Sequence, residues 1–232
     1  AFCNQVLVVK GPAGVALIDA GTGNDKSRPQ EPWWNQQHLP FLETLASLDI
    51  QPEEVAFVFF SHFHLDHVGF ATSWRDGRWQ PTFPSARHIA SEREIDYYLS
   101  LPSDHPQYHP CIEDSVRPLQ DAGLLEAAKP GDLIGDFRLH DGAGHTPGHL
   151  IFEALGSDRP LWFVGDLLHH PAQFAHPEWP SANFNLDDAA TAATRRRYFE
   201  LFADSGATFF AHHLGNAVQI GPHGEAWRLK GN

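Results

Sequence analysis

The chain has 232 residues, 42% of them apolar, and a formal net charge of −13. That length suits one domain with a sizeable core better than two very small ones, and no apolar run reaches the ~18 residues of a membrane span. The acidic balance argues against a nucleic-acid substrate, which requires a basic surface, and two cysteines are too few for a disulfide framework.

Val6–Val9 and Val15–Asp19 are apolar runs separated by Lys10-Gly11-Pro12-Ala13-Gly14, the pattern of a hairpin. The strand pattern begins almost at once, without a Met or a signal-peptide pattern. The sequence is therefore expected to start inside its domain, lacking some N-terminal residues. The missing export signal only leans the compartment toward the cytoplasm. Asp19 closes the second strand in an Asp-Ala-Gly turn. Residues 24–40 are polar, carry Pro29, Pro32, Trp33 and Trp34, and read as a loop. Apolar residues at 41, 42, 45 and 48 have helical spacing.

Val55–Phe60 is a continuous apolar run, the signature of a buried strand. Ser61 stops it, and His62, His64, Asp66 and His67 follow at once. A strand end opening into a tight loop can aim several side chains at one point. Imidazole nitrogens and a carboxylate oxygen there suit zinc and other borderline divalent ions.

Val68–Trp74 is expected to begin a helix, with a turn at Asp76-Gly77 and a short strand at Arg87–Ala90. Ser91 and Glu94 form a capping-box pattern for a helix from Glu92 to Leu99. Leu101–Val116 reads as an irregular insert near the mouth of the site, with His105 and His109 as exposed loop histidines. Leu133–His140, His149–Leu155 and Leu161–Val164 look like strands. The loop after Asp166 is rich in Pro, His and aromatic residues, and could line a substrate pocket through His169, His170, Phe174 and Trp179. Trp74, Trp79 and Phe83 could supply an apolar wall. Asp187 or Asp188 caps a helix to about Ala203, whose Arg195-Arg196-Arg197 run reads as a solvated face. Thr208–Ala211 is a last strand before His212 and His213, and Gln219–Leu229 a closing hairpin. Local pattern alone gives a mixed α/β chain.

His-x-His-x-Asp-His after a strand resembles the metallo-β-lactamase superfamily, as do GHTPGH at Gly144–His149, FVGD at Phe163–Asp166 and FFAHH at Phe209–His213. The order and spacing match along nearly the whole chain. The resemblance implies a single domain over residues 1–232, a four-layer αββα sandwich of α/β class. It puts His62, His64 and His145 on one metal ion and Asp66, His67 and His212 on a second, with Asp166 shared. The choice of His212 over His213 follows the family pattern, and Asp19 would lie under the metals. His149 is expected to support or pack rather than ligate.

The implied cofactor is two divalent ions, zinc being favoured. The implied activity is hydrolysis, with a metal-bound hydroxide attacking a lactone or related ester, and Asp66 and Asp166 as the catalytic carboxylates. The aromatic stretch between His67 and His145 resembles the lactonase, esterase and organophosphate-hydrolase branch, so phosphotriesters are possible secondary substrates. The expected partner is thus a small-molecule substrate, with no nucleic acid and no membrane; oligomeric state is not legible. The alternatives are an iron-dependent sulfur dioxygenase on the same scaffold and a non-catalytic metal-binding protein.

Overall fold

The computed structural model describes residues 3–156, 161–182, 184–224 and 226–230. The chain divides into two units, Gln5–Ala128 and the remainder. The first contains β1 (Leu7–Gly11), β2 (Gly14–Ile18), α1 (Phe41–Ser47), β3 (Val55–Phe59), β4 (Thr72–Arg75), β5 (Arg78–Pro81), β6 (Arg87–Ser91), α2 (Glu92–Ser100), α3 (Arg117–Asp121) and β7 (Leu125–Ala128). Its main sheet has the order β1-β2-β3-β6-β7, antiparallel between β1 and β2 and parallel elsewhere. Parallel strands tend to be covered on both faces, which explains why β3 reads as unbroken apolar sequence. Leu17, Val58, Phe60, Phe63, Phe83, Ile112 and Leu119 belong to the buried cluster of this unit.

The helix expected over Val68–Trp74 does not form. A single 3₁₀ turn at Gly69–Ala71 gives way to β4, which pairs with β5. Asp76 and Gly77 both have positive φ, 51° and 76°, which makes a tight two-residue hairpin turn. Trp74 then lies opposite Trp79, and this cross-strand aromatic pair outweighs any helical preference. Residues 101–116 are also less irregular than expected, because Ile112–Val116 winds as a π-helix directly into α3.

The loop before α1 is anchored on buried charge. Lys26 Nζ donates to Thr72 Oγ1 (2.6 Å) and to the Asp114 carbonyl (2.8 Å), and lies 3.6 Å from the centre of a Trp79 ring. Arg28 grips the Asp114 carboxylate with both terminal nitrogens. Burial pulls the Lys26 pKa down to about 8, partly offset by Asp114. Trp74 and Trp79 line an open cleft of about 600 Å³ with Pro81, Pro118 and Glu113. Phe83, expected beside them, is fully buried in the core.

The second unit holds β8 (Leu133–Ile134), β9 (Phe137–Asp141), β10 (Leu150–Ala154), β11 (Leu161–Phe163), α4 (Ala172–Ala175), α5 (Asp188–Ser205), β12 (Thr208–Phe210), β13 (Ile220–His223) and β14 (Ala226–Leu229). Its sheet has the order β12-β11-β10-β9-β8, with β11 and β12 parallel. The expected closing hairpin is β13–β14. The Asp187 side chain caps α5 by accepting from the Ala190 N–H at 2.8 Å, and Gly206, at φ 68°, ends it. Trp162, Phe199, Phe202, Phe209 and Trp227 belong to this unit's core. Arg195 is buried rather than solvated. Among the described residues, no helix is long and apolar enough to cross a membrane.

His88 on β6 is fully buried and stacks on Phe60, and burial lowers its pKa from 6.5 to about 4. The folded chain therefore releases that proton more readily than the unfolded chain. The resulting stability is complete above the unfolded value and is lost as pH falls from about 6.5 toward 4. Urea unfolding of wild type and His88→Leu across that range should show a steeper loss in wild type, by up to a few kcal/mol. Parallel profiles would show that His88 does not titrate with folding.

Candidate metal centre

In the first unit the donors sit where β3 ends. Asp19, at the end of β2 with φ 60°, organises them. Its Oδ1 accepts from the Ser61 N–H (2.7 Å), and its Oδ2 accepts from Ser61 Oγ (2.9 Å) and His67 Nδ1 (2.8 Å). A carboxylate only accepts, so His67 carries its proton on Nδ1 and its lone pair on Nε2. That Nε2 lies 3.6 Å from Asp66 Oδ1. The His62 ring packs 4.5 Å from His64 and 4.0 Å from His67, centre to centre.

The backbone of this loop is held from behind. The buried Glu94 carboxylate accepts from the Phe63 N–H at 2.9 Å, and Cys111 Sγ donates to the Phe63 carbonyl at 3.4 Å. Both groups of the residue between His62 and His64 are thus tied. Burial pushes the Cys111 thiol up to about 12, so it stays protonated and able to donate. At the loop's end, the Gly69 N–H donates to the Gly21 carbonyl (2.7 Å). A Cβ on Gly69 would fall 2.0 Å from the Thr22 backbone, so only glycine fits this crossing. His109, expected as an exposed loop histidine, is half-buried and packs edge-on against His64 at 5.0 Å.

In the second unit the focus is Asp166, which follows β11. Three imidazoles converge on its Oδ2: His145 Nε2 at 3.4 Å, His169 Nε2 at 3.1 Å and His213 Nε2 at 3.1 Å. His145 Nδ1 is bonded to Asn185 Oδ1 (2.9 Å), and that amide donates its nitrogen to Asp188. His213 Nδ1 donates to the Cys3 carbonyl at 2.7 Å. Both rings therefore direct Nε2 lone pairs at a carboxylate oxygen, which is stable only with a cation or a shared proton between them. Ligand atoms of Asp166, His169 and His213 lie within 4.8 Å of one another. Burial, against the pull of Asp166, holds His169 below the ordinary imidazole pKa.

His149 supports this group without facing it. Its Nε2 accepts from the Asp166 N–H (3.2 Å), and its Nδ1 bonds to the Gly142 carbonyl (3.2 Å). A side chain on Gly142 would strike the His149 ring at 2.3 Å. His212 follows β12, and its N–H donates to the Gly165 carbonyl at 3.0 Å. His213, the neighbour that the family pattern passes over in favour of His212, has its Nε2 3.1 Å from Asp166 Oδ2.

The four expected pocket residues separate. His169 faces Asp166, whereas His170 is exposed and its Nδ1 accepts from the Ala172 N–H. Trp179 is 47% exposed and stacks on His176. Phe174 differs from the expectation: it is 2% exposed and packs on Phe199 and Phe209, so it belongs to the core. Glu94 and Cys111 escaped sequence reading. The first registered only as a helix cap and the second only as a lone thiol.

The sequence is 27% identical over 235 residues to the N-acyl homoserine lactonase AttM of Azorhizobium caulinodans, covering 95% of this chain and 81% of that protein. It is 28% identical over 174 residues to AttM of Agrobacterium fabrum, covering 68% of this chain and 62% of that protein. Among solved structures, AidC, a dizinc quorum-quenching lactonase in complex with a product, superimposes with a TM-score of 0.79 at 20% identity, covering 99% of this chain and 79% of AidC. Residues 1–213 match the metallo-beta-lactamase superfamily. The motifs, the fold and this match agree: the chain belongs to the metallo-beta-lactamase superfamily.

Proposed function

We propose that the chain works as one metallo-β-lactamase-like domain and is a binuclear metal-dependent hydrolase of lactones or related esters. The single observation that carries the metal assignment is the crowding of imidazole lone pairs on the Asp166 carboxylate. The donor set of nitrogens and carboxylate oxygens fits zinc. In this reading His62, His64 and His145 hold one ion, Asp66, His67 and His212 hold the other, and Asp166 serves both. His213 is a further candidate donor beside His212. The lactonase assignment is supported by the names of the relatives.

Bound there, two divalent ions would supply Lewis acidity and lower the pKa of water to about 7. The chain's own groups do the rest. Asp19 fixes the His67 tautomer, and Asn185 fixes that of His145. Ring opening consumes one water: its oxygen bonds to the carbonyl carbon, the ring C–O bond breaks, and a proton must reach the leaving alkoxide. Asp66, buried beside His67, is suited to carry that proton on a carboxylate oxygen. His169 lies at the Asp166 carboxylate and could contact the acyl oxygen.

Elemental analysis of protein purified without added metal should find two zinc ions per chain. A screen of lactones, thioesters, phosphotriesters and β-lactams should give its highest kcat/KM on a lactone. One tightly held iron per chain, with oxygen-dependent turnover, would replace this reading with the dioxygenase.

Asp19→Ala should weaken zinc binding about 10–100-fold, because His67 loses the bond that fixes its tautomer and aim. Asp166→Ala should cost more, releasing at least one ion and abolishing turnover. Chelator competition measures both. An Asp166→Ala protein that keeps two ions and near-normal turnover would end the shared-ligand role.

A further inference from the structure

Two buried polar side chains of the second unit have no place in the chemistry above. Arg195 on α5 is 1% exposed and Gln173 on α4 is 3% exposed. Arg195 Nε donates to the Leu167 carbonyl at 2.8 Å, directly after Asp166 in the chain. Its Nη1 donates to the carbonyls of Pro177 (2.6 Å) and Trp179 (2.9 Å), at the far end of the same loop. One guanidinium therefore ties both ends of the loop to α5. Burying a charge is costly unless it is bonded, and here Nε and Nη1 meet three carbonyls while Nη2 is buried without a partner.

Gln173 works inside the loop. Its Oε1 accepts from the N–H groups of His169 (2.7 Å) and His170 (3.1 Å). Its Nε2 donates to the Trp179 carbonyl (3.1 Å) and to Ser181 Oγ (3.0 Å). The His169 N–H is thus tied through Gln173 to the far half of the same loop. Its ring stacks on His213 (4.9 Å) and Phe184 (5.5 Å), with Nε2 3.1 Å from Asp166 Oδ2.

We propose that Gln173 and Arg195 are positioning residues that hold His169 against the Asp166 carboxylate. Their value to the centre rests on the metal reading above; the geometric claim does not. Each acts through His169, Gln173 by its backbone and Arg195 by the loop that carries it. A lysine at 195 would keep the charge but not the fork that reaches three carbonyls.

The test is a double-mutant cycle read in zinc affinity by chelator competition, which needs no substrate. Gln173→Met and His169→Ala should each weaken zinc about 10–100-fold. The double variant should bind zinc no worse than His169→Ala alone, since both act through one ring. Additive losses would overturn the proposal. Arg195→Lys carries the same cycle if Gln173→Met does not fold. A protein that binds zinc but opens no lactone would sink the proposed reaction and leave this cycle to decide. A protein that binds no zinc is tested metal-free by imidazole NMR. There, Gln173→Met should move the His169 ring signals and leave those of His140 in place; unmoved His169 signals would overturn it.

Discussion

Asp166 presents one carboxylate oxygen to three imidazoles, and two of them, with Nδ1 already bonded elsewhere, would in their neutral form bring lone pairs to it. Such a group does not hold itself together. It needs a cation or a shared proton between the rings and the carboxylate, and each member is also held from its far side. Asn185 holds His145, the Cys3 carbonyl holds His213, and His149 holds the Asp166 backbone. The second unit is an answer to that need: β11 and β12 lie parallel, so Asp166 and the histidines after Phe210 emerge at the same sheet end.

The first unit meets the same demand with different means. There the donors come from one short loop, and the support comes from Asp19, Glu94 and Cys111, which are distant in sequence. A loop that carries four candidate donors has no ladder to satisfy its own backbone. Its N–H and C=O groups are then met partly by side chains and partly by other backbone, as where the Ala20 N–H donates to the His67 carbonyl. Asp19 does two tasks at once, since it caps the Ser61 backbone and sets the His67 tautomer. Loss of a support should therefore resemble loss of a ligand, in weaker form.

Much of this was legible from residues. The apolar run before His62 announces a covered parallel strand, and the four motifs stand in family order. What failed did so for identifiable reasons. Val68–Trp74 has enough apolar residues for a helix, but a positive-φ pair at Asp76 and Gly77 commits its second half to a hairpin. Arg195 looks solvated because its neighbours Arg196 and Arg197 are, and only tertiary structure shows that one of three identical residues points inward. Phe174 reads as a pocket wall because its loop is aromatic, whereas it anchors that loop to the core. Support residues such as Glu94 are the hardest to see. Their partners are backbone atoms, which leave no trace in side-chain pattern.

The protonated Cys111 gives the protein an unplanned chemical selectivity. Of its two thiols, one is sealed in the first unit with its reactivity suppressed, and the other, Cys3, is partly open to solvent. Alkylating and oxidising agents will therefore discriminate between them and mark Cys3. The Cys3 carbonyl is what holds His213. A dye attached at that sulfur would therefore report on the residue whose backbone holds His213, with no engineered cysteine.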